Sequence, residues 1–261
     1  MQDLYCPMKL TGAAAALTEA LGVPAPHAAA PALEALTTLC TGGVDRILMY
    51  NPDAVALWLF EKYTDLFLPV LRHIRLTLPL RTVMPSVTPV CFGTMYTGAE
   101  PSVHGIQSYT KPVIRTDTVF DALIRAGKKP CIVSTGNDSM SRIFLEREMD
   151  YYIVDTPDEA NAKAAALIQE DRHELIAVYN GNYDSAMHKF GPESREALDA
   201  LRHNVRAFDT LANEVRTHWQ AHKTLIAFAP DHGCHEIDGD CGSHGLDMPE
   251  DMNIIHFYGL L

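Results

Sequence analysis

One unit recurs along this chain: a short apolar run, a polar turn, then a stretch of helical periodicity. The run 46–50 leads into Asn51-Pro52-Asp53 and a helical stretch over 53–66, in which Asp53 is read as the cap. The runs 131–134, 151–154, 175–179 and 224–229 end in Thr135-Gly136-Asn137-Asp138, Asp155-Thr156-Pro157-Asp158, Asn180-Gly181-Asn182 and Pro230-Asp231-His232-Gly233, and the run 254–258 closes the chain. Short apolar strands alternating with helices predict a three-layer α/β fold, with a mainly parallel central sheet and helices on both faces. The clearest helix is 194–220. Its Leu201, Val205, Phe208, Leu211 and Val215 recur three or four apart and form one apolar stripe. No repeat or linker divides the sequence, so 1–261 reads as a single domain. The Ala-rich, Pro-interrupted region 1–43 adds a further helical layer.

A formal net charge of -12 gives the chain no general attraction for a nucleic acid polymer or an anionic membrane. It does not exclude a phosphorylated small molecule, because bound cations reverse the local field. No apolar run reaches the length of about 18 residues that a membrane span needs. The first ten residues carry no basic segment followed by an apolar core, so no signal peptide is read. Six cysteines without framework spacing read as reduced thiols in a cytoplasmic protein.

The polar residues collect directly after the expected strands, at the sheet edge where open α/β folds bind ligands. Asp184 and His188 are four apart and share a face on one helical turn. Asp231-His232-Gly233 follows a strong strand, and Gly242-Ser243-His244-Gly245 precedes the last one. Alone, Asp184 and His188 are better read as a capping Asp and a surface histidine, and the other two clusters are modest signals. Together the three bring two carboxylates and three imidazoles to one edge, a set of ligands suited to zinc or manganese. His203 and His222 lie on the polar side of the long helical region and are assigned structural or solvated roles. Thr88, in Pro85-Ser86-Val87-Thr88-Pro89-Val90-Cys91, precedes small residues suited to a helix start, where free amides favour a phosphate oxygen. By residue type alone Thr88 is a turn threonine, and Cys91 is a rival nucleophile.

The segment 88–106 resembles the nucleophile segment of the alkaline phosphatase superfamily, in its type I phosphodiesterase / nucleotide pyrophosphatase-like branch. That pattern has a threonine or serine nucleophile, then Thr-Gly, Pro and His-Gly-Ile. Thr88, Thr97-Gly98, Pro101 and His104-Gly105-Ile106 fall in step with it. Asp184, His188 and Gly191-Pro192 resemble the family's first metal segment, Asp231-His232-Gly233 its Asp-His-Gly, and His244-Gly245 its closing His-Gly. The likeness runs in chain order over about residues 45–261.

The resemblance implies an alkaline phosphatase-like fold and two divalent metal ions, zinc favoured and manganese the alternative. One would be held by Asp184, His188 and His244, the other by Asp231, His232 and the Thr88 hydroxyl. The family's second site also takes an aspartate from the end of the first strand. Asn51 falls at that place, which implies a weaker site unless a rearranged turn lets Asp53 substitute. His104 has a structural role in this pattern, and Cys91 stands where the branch carries a phosphate-binding asparagine. The implied activity is hydrolysis of a phosphate ester, a phosphodiester favoured, through a phospho-threonine on Thr88. The alternatives are a phosphomonoesterase or phosphotransferase, a degenerate metal-binding member, and, ranked last, a thiol enzyme using Cys91. The stretches between motifs are short, which implies a minimal pocket or one completed by a partner subunit in a homo-oligomer.

Overall fold

The computed structural model describes residues 4–261. Seven strands form the main sheet. They are β1 (Arg46–Pro52), β2 (Leu76–Arg81), β3 (Pro130–Thr135), β4 (Asp150–Val154), β5 (Leu175–Asn180), β6 (Thr224–Phe228) and β9 (Asn253–Leu260). Two short strands, β7 (His235–Ile237) and β8 (Cys241–Ser243), make a separate hairpin. The sheet order is β2-β9-β6-β1-β5-β3-β4. All neighbours are parallel except β9, which runs against both β2 and β6.

Because side chains alternate along a strand, each central strand feeds two apolar layers. Ile47 and Met49 of β1 face one core, with Leu17 of α1 (Ala13–Ala20), Leu36 of α2 (Glu34–Leu39), Phe92 of α5 (Thr88–Thr97) and Phe120 of α7 (Val119–Arg125). Leu48 and Tyr50 face the other, with Leu59 of α3 (Leu57–Lys62), Val70 of α4 (Leu68–Leu71), Leu167 of α9 (Pro157–Glu170) and Phe208 of α11 (Arg195–His218). The remaining helices are short: α6 (Pro101–His104), α8 (Ser139–Ile143), α10 (Asn182–Phe190) and α12 (Pro249–Met252). The expected three layers with helices on both faces are therefore present.

Local signals explain several boundaries. Ser194 accepts a hydrogen bond from the Ala197 amide and starts α11, and Thr156 with Glu159 forms a capping box at α9. The expected helix over 53–66 is broken up. Ala56 is the N-cap of α3, and a 3-10 turn at Thr64–Phe67 precedes α4. Asp53 therefore caps nothing, because the chain turns sharply at Ala54, which has a φ of 63°.

Gly259 lets β9 pass directly beneath the segment entering β2. A Cβ there would lie 2.2 Å from the His73 carbonyl oxygen and 2.9 Å from Ile226 Cγ1. Backbone in a sheet cannot yield at such a contact, so Gly259→Ala is expected to cost about 3 kcal/mol of stability. The check is a lower urea midpoint with an unchanged denaturant slope; an unshifted midpoint would contradict the close packing.

Candidate active site

The central strands β6, β1 and β5 end side by side, and their following turns carry the ionisable residues. Asp53 follows β1, Asp231 and His232 follow β6, and Asp184 and His188 sit on α10 directly after β5. His244 follows β8, and Thr88 is the first residue of α5. Gly242 allows β8 to approach α10, since a Cβ there would meet Met187 Sδ at 2.3 Å and the Met187 carbonyl oxygen at 2.8 Å. That close approach brings His244 beside His188, with ring centroids 4.9 Å apart.

Two triads form. Asp184, His188 and His244 make one, and Asp53, Asp231 and His232 make the other. They adjoin, with the His232 and His244 rings stacked at 4.1 Å. In the first, Asp184 Oδ1 lies 3.3 Å from His188 Nε2 and 3.4 Å from His244 Nε2. In the second, His232 Nε2 lies 3.3 Å from Asp53 Oδ1 and 3.4 Å from Asp231 Oδ2.

The backbone sets the imidazole orientations. His188 Nδ1 lies 3.0 Å from the Gly242 carbonyl, His232 Nδ1 2.9 Å from the Gly233 carbonyl, and His244 Nδ1 2.9 Å from the Ser86 carbonyl. A carbonyl only accepts, so in each ring Nδ1 carries a proton and Nε2 is the nitrogen turned toward the carboxylates. Metal-binding histidines are held in this way. Asp184 Oδ1 and Asp231 Oδ2 are buried without a hydrogen-bond partner. Buried carboxylate oxygens normally find donors within hydrogen-bond geometry, and here their polar neighbours are imidazole Nε2 atoms at 3.3 to 3.4 Å. The donor set therefore fits divalent cations at both triads.

Charge crowding points the same way. Asp53 is raised to about 7 by burial and by the neighbouring Asp184 charge. Asp231 is pushed well above the ordinary carboxyl range by burial and by Asp53. Burial also opposes the ionised form of Asp184, but hydrogen bonds from His188 and His244, whose own values it raises, hold it below the usual range when no cation is bound. His232 is driven well below its ordinary value by burial and by His244. So many carboxyls cannot all ionise in one buried space unless cations accompany them.

Asn51 does not take the place expected of it. Its Oδ1 accepts from the Tyr96 hydroxyl at 2.7 Å, and its Nδ2 donates to the Ala229 carbonyl at 2.8 Å. Both ends of the amide are committed to the core. Two residues later the turn at Ala54 carries Asp53 inward. The Ala54 amide donates to Asp231 Oδ1 at 3.3 Å, tying the two carboxylate-bearing turns together. The second triad thus has two carboxylates, and the weakness implied by Asn51 is absent from its geometry. Tyr179, at the end of β5, was not singled out by sequence. Its hydroxyl donates to Asp53 Oδ2 and fixes that carboxylate. Sequence spacing gives no sign of it, because the partners are 126 residues apart.

Thr88 Oγ1 lies 3.3 Å from Asp53 Oδ2 and 3.3 Å from His232 Nε2. Cys91, one turn further along α5, is fully buried against the Val83 carbonyl, and burial pushes its thiol well above the ordinary value, which removes it as a nucleophile. His104 packs against Gly93 and meets the Thr94 hydroxyl at 3.0 Å, a structural placement. His203 and His222 pair with Asp158 and Asp171, away from both triads.

Residues 138–256 match the family described as type I phosphodiesterase / nucleotide pyrophosphatase. The match includes Asp184, His188, Asp231, His232 and His244, whereas Asp53 and Thr88 precede it. Among solved structures, murine ectonucleotide pyrophosphatase/phosphodiesterase 5 superposes with a TM-score of 0.60 at 14% identity, over 74% of this chain and 58% of that one. Its inactive variant in complex with AMP gives 0.61 at 14% identity, over 75% and 59%. Phosphonoacetate hydrolase from Sinorhizobium meliloti in complex with phosphonoformate gives 0.57 at 17% identity, over 75% and 59%. The chain thus spans less than two thirds of the length of these relatives. No curated protein matches it in sequence.

The sheet and its flanking helices define an alkaline phosphatase-like α/β fold. The sequence likeness to the type I phosphodiesterase / nucleotide pyrophosphatase family covers less than half of the chain, and the likeness to the solved structures is one of fold.

Proposed function

We propose that this protein hydrolyses phosphate esters, phosphodiesters favoured, with Thr88 as nucleophile. The observation that carries the reading is the Thr88 hydroxyl at 3.3 Å from both Asp53 Oδ2 and His232 Nε2, at the edge of two adjoining ligand triads. Asp184, His188 and His244 would hold one divalent cation. Asp53, Asp231 and His232, with the Thr88 hydroxyl, would hold the other. The mix of imidazole and carboxylate favours zinc, with manganese as the alternative. Such ions neutralise charge on the transferring phosphoryl oxygens and lower the pKa of a hydroxyl.

The chain's own residues do the rest. Thr88 gives up its proton to solvent water and its oxygen attacks phosphorus in line. The Oγ–P bond forms as the bond to the leaving oxygen breaks, and that oxygen takes a proton from water. Water then attacks the phosphorylated threonine from the opposite side and breaks the Oγ–P bond, which restores the hydroxyl and releases a phosphomonoester from a diester substrate, or phosphate from a monoester. Asp53, oriented by Tyr179, fixes Thr88 for the first step. The preference for diesters follows the family's description.

A small phosphorylated molecule suits the acidic chain better than a nucleic acid polymer. Among the described residues no helix is long and apolar enough to cross a membrane. The six free cysteines support a reducing, cytoplasmic setting.

The test is turnover of aryl phosphate mono- and diesters by chelator-stripped protein before and after adding zinc or manganese. Activity is expected to return with metal, faster on the diester. Silence with both metals on both substrates would sink the hydrolase reading.

A further inference from the structure

A cavity of about 400 Å³ opens beside the two triads and takes both Asp53 and Asp184 into its wall. Its far side is built by the loop after α6, carrying Tyr109 and Lys111, and by the turn after β3, carrying Asn137 and Asp138. A larger groove of about 560 Å³ between α9 and α11 shares no residue with either triad. The smaller cavity is therefore the room left for the part of a substrate that is not transferred.

Among the described residues, Lys111 is the only lysine or arginine lining it. Its Nζ donates to the Asn137 carbonyl at 2.8 Å and lies 5.4 Å from the centre of the Tyr109 ring. The ammonium is thus held in place while two of its three N–H groups stay free. Four carboxylates share the wall. Asp53 and Asp184 belong to the triads. Asp138 is spent on the Ser134 and Thr135 hydroxyls and the Ser141 amide. Asp155 sits exposed at the lip, where solvent screens it. A cationic substituent would meet the Lys111 charge and find the Tyr109 face already taken.

We infer that Lys111 makes this cavity a subsite for a second anionic group, a carboxylate or a further phosphate, on the non-transferred part of the substrate. The inference rests on the hydrolase reading and names its substrate class. An ammonium fixed by a carbonyl and a ring meets such an anion without first being ordered, which favours binding.

Binding is measured by calorimetry on the metal-loaded full chain with three non-hydrolysable probes: phenylphosphonate, 3-carboxyphenylphosphonate and benzene-1,3-diphosphonate. Either second anion is expected to tighten binding about tenfold over phenylphosphonate, a typical gain for one well-placed ion pair. The larger gain identifies carboxylate or phosphate as the natural group. Lys111→Gln keeps a donor for the Asn137 carbonyl but should abolish the gain, and Lys111→Arg should retain it. Equal affinity for all three probes, or a gain that survives Lys111→Gln, would overturn the proposal. Phenyl phosphate and 3-carboxyphenyl phosphate are assayed in parallel. Selective binding of the carboxylated probe with no turnover of either ester would count against the hydrolase reading and leave the subsite standing.

Discussion

Thr88→Ala is expected to lower kcat on any hydrolysed phosphate ester by at least about a thousandfold, since removing a nucleophile removes the covalent route entirely. The same variant should keep its fold. Thr88 is the first residue of α5, where the side chain caps no amide, and alanine is a better helix former than threonine. The hydrogen bonds its hydroxyl gives up, to Asp53 and His232, are long, at 3.3 to 3.5 Å. Metal stoichiometry should stay at two, because each triad retains its three protein ligands. The measurement pairs steady-state turnover with metal analysis and a denaturation midpoint. Turnover within tenfold of the parent, in a folded and fully metallated variant, would show that Thr88 is not the nucleophile.

Asp53→Asn should remove one equivalent of bound metal and reduce turnover to a similar degree, because a charged ligand of the second triad becomes a neutral amide and the partner of Thr88 is lost. The informative control is Asn51→Ala. It leaves the Tyr96 hydroxyl and the Ala229 carbonyl without partners and should cost about 1–3 kcal/mol of stability, yet keep both metals. The opposite pattern, an ion lost from Asn51→Ala and kept in Asp53→Asn, would return the ligand role to the strand end.

The metal-stripped protein adds a pH signature. The folded-state pKa of Asp53, about 7, lies above its unfolded value, so its carboxyl costs nothing below about pH 4. The cost grows through the interval and is complete above about 7. Asp53→Asn should therefore stabilise the stripped protein increasingly as pH rises from 4 to 7, and a gain independent of pH would contradict the burial of that charge.

Much of this site was legible in sequence because the polar residues follow apolar runs, and parallel strands deliver such residues to one edge. Asp184, His188, Asp231, His232 and His244 were found that way, and Thr88 by its segment. Asp53 reads as a cap, or as a substitute ligand only if its turn is rearranged, because the positive φ at Ala54, which sends its side chain inward, leaves no mark in the residue type. The strand Leu76–Arg81 was missed because Pro79 argues against a strand, yet an edge strand tolerates a residue without an N–H. The reversed direction of Asn253–Leu260 could not be read either, since an apolar run carries no sign of polarity. The contact between Tyr179 and Asp53 is set by strand register alone.

The six triad residues come from turns and a helix spread between Asp53 and His244, carried by strands that meet only once the sheet is complete. No local fragment holds a whole triad, because even Asp184 and His188 need His244 from 56 positions further along, 244 less 188. On the proposed two-cation reading, ion release and global unfolding would be linked equilibria. Each ion at a hundredfold excess over its Kd would add about 2.7 kcal/mol to the folded state, so the melting temperature becomes a reading of free metal concentration.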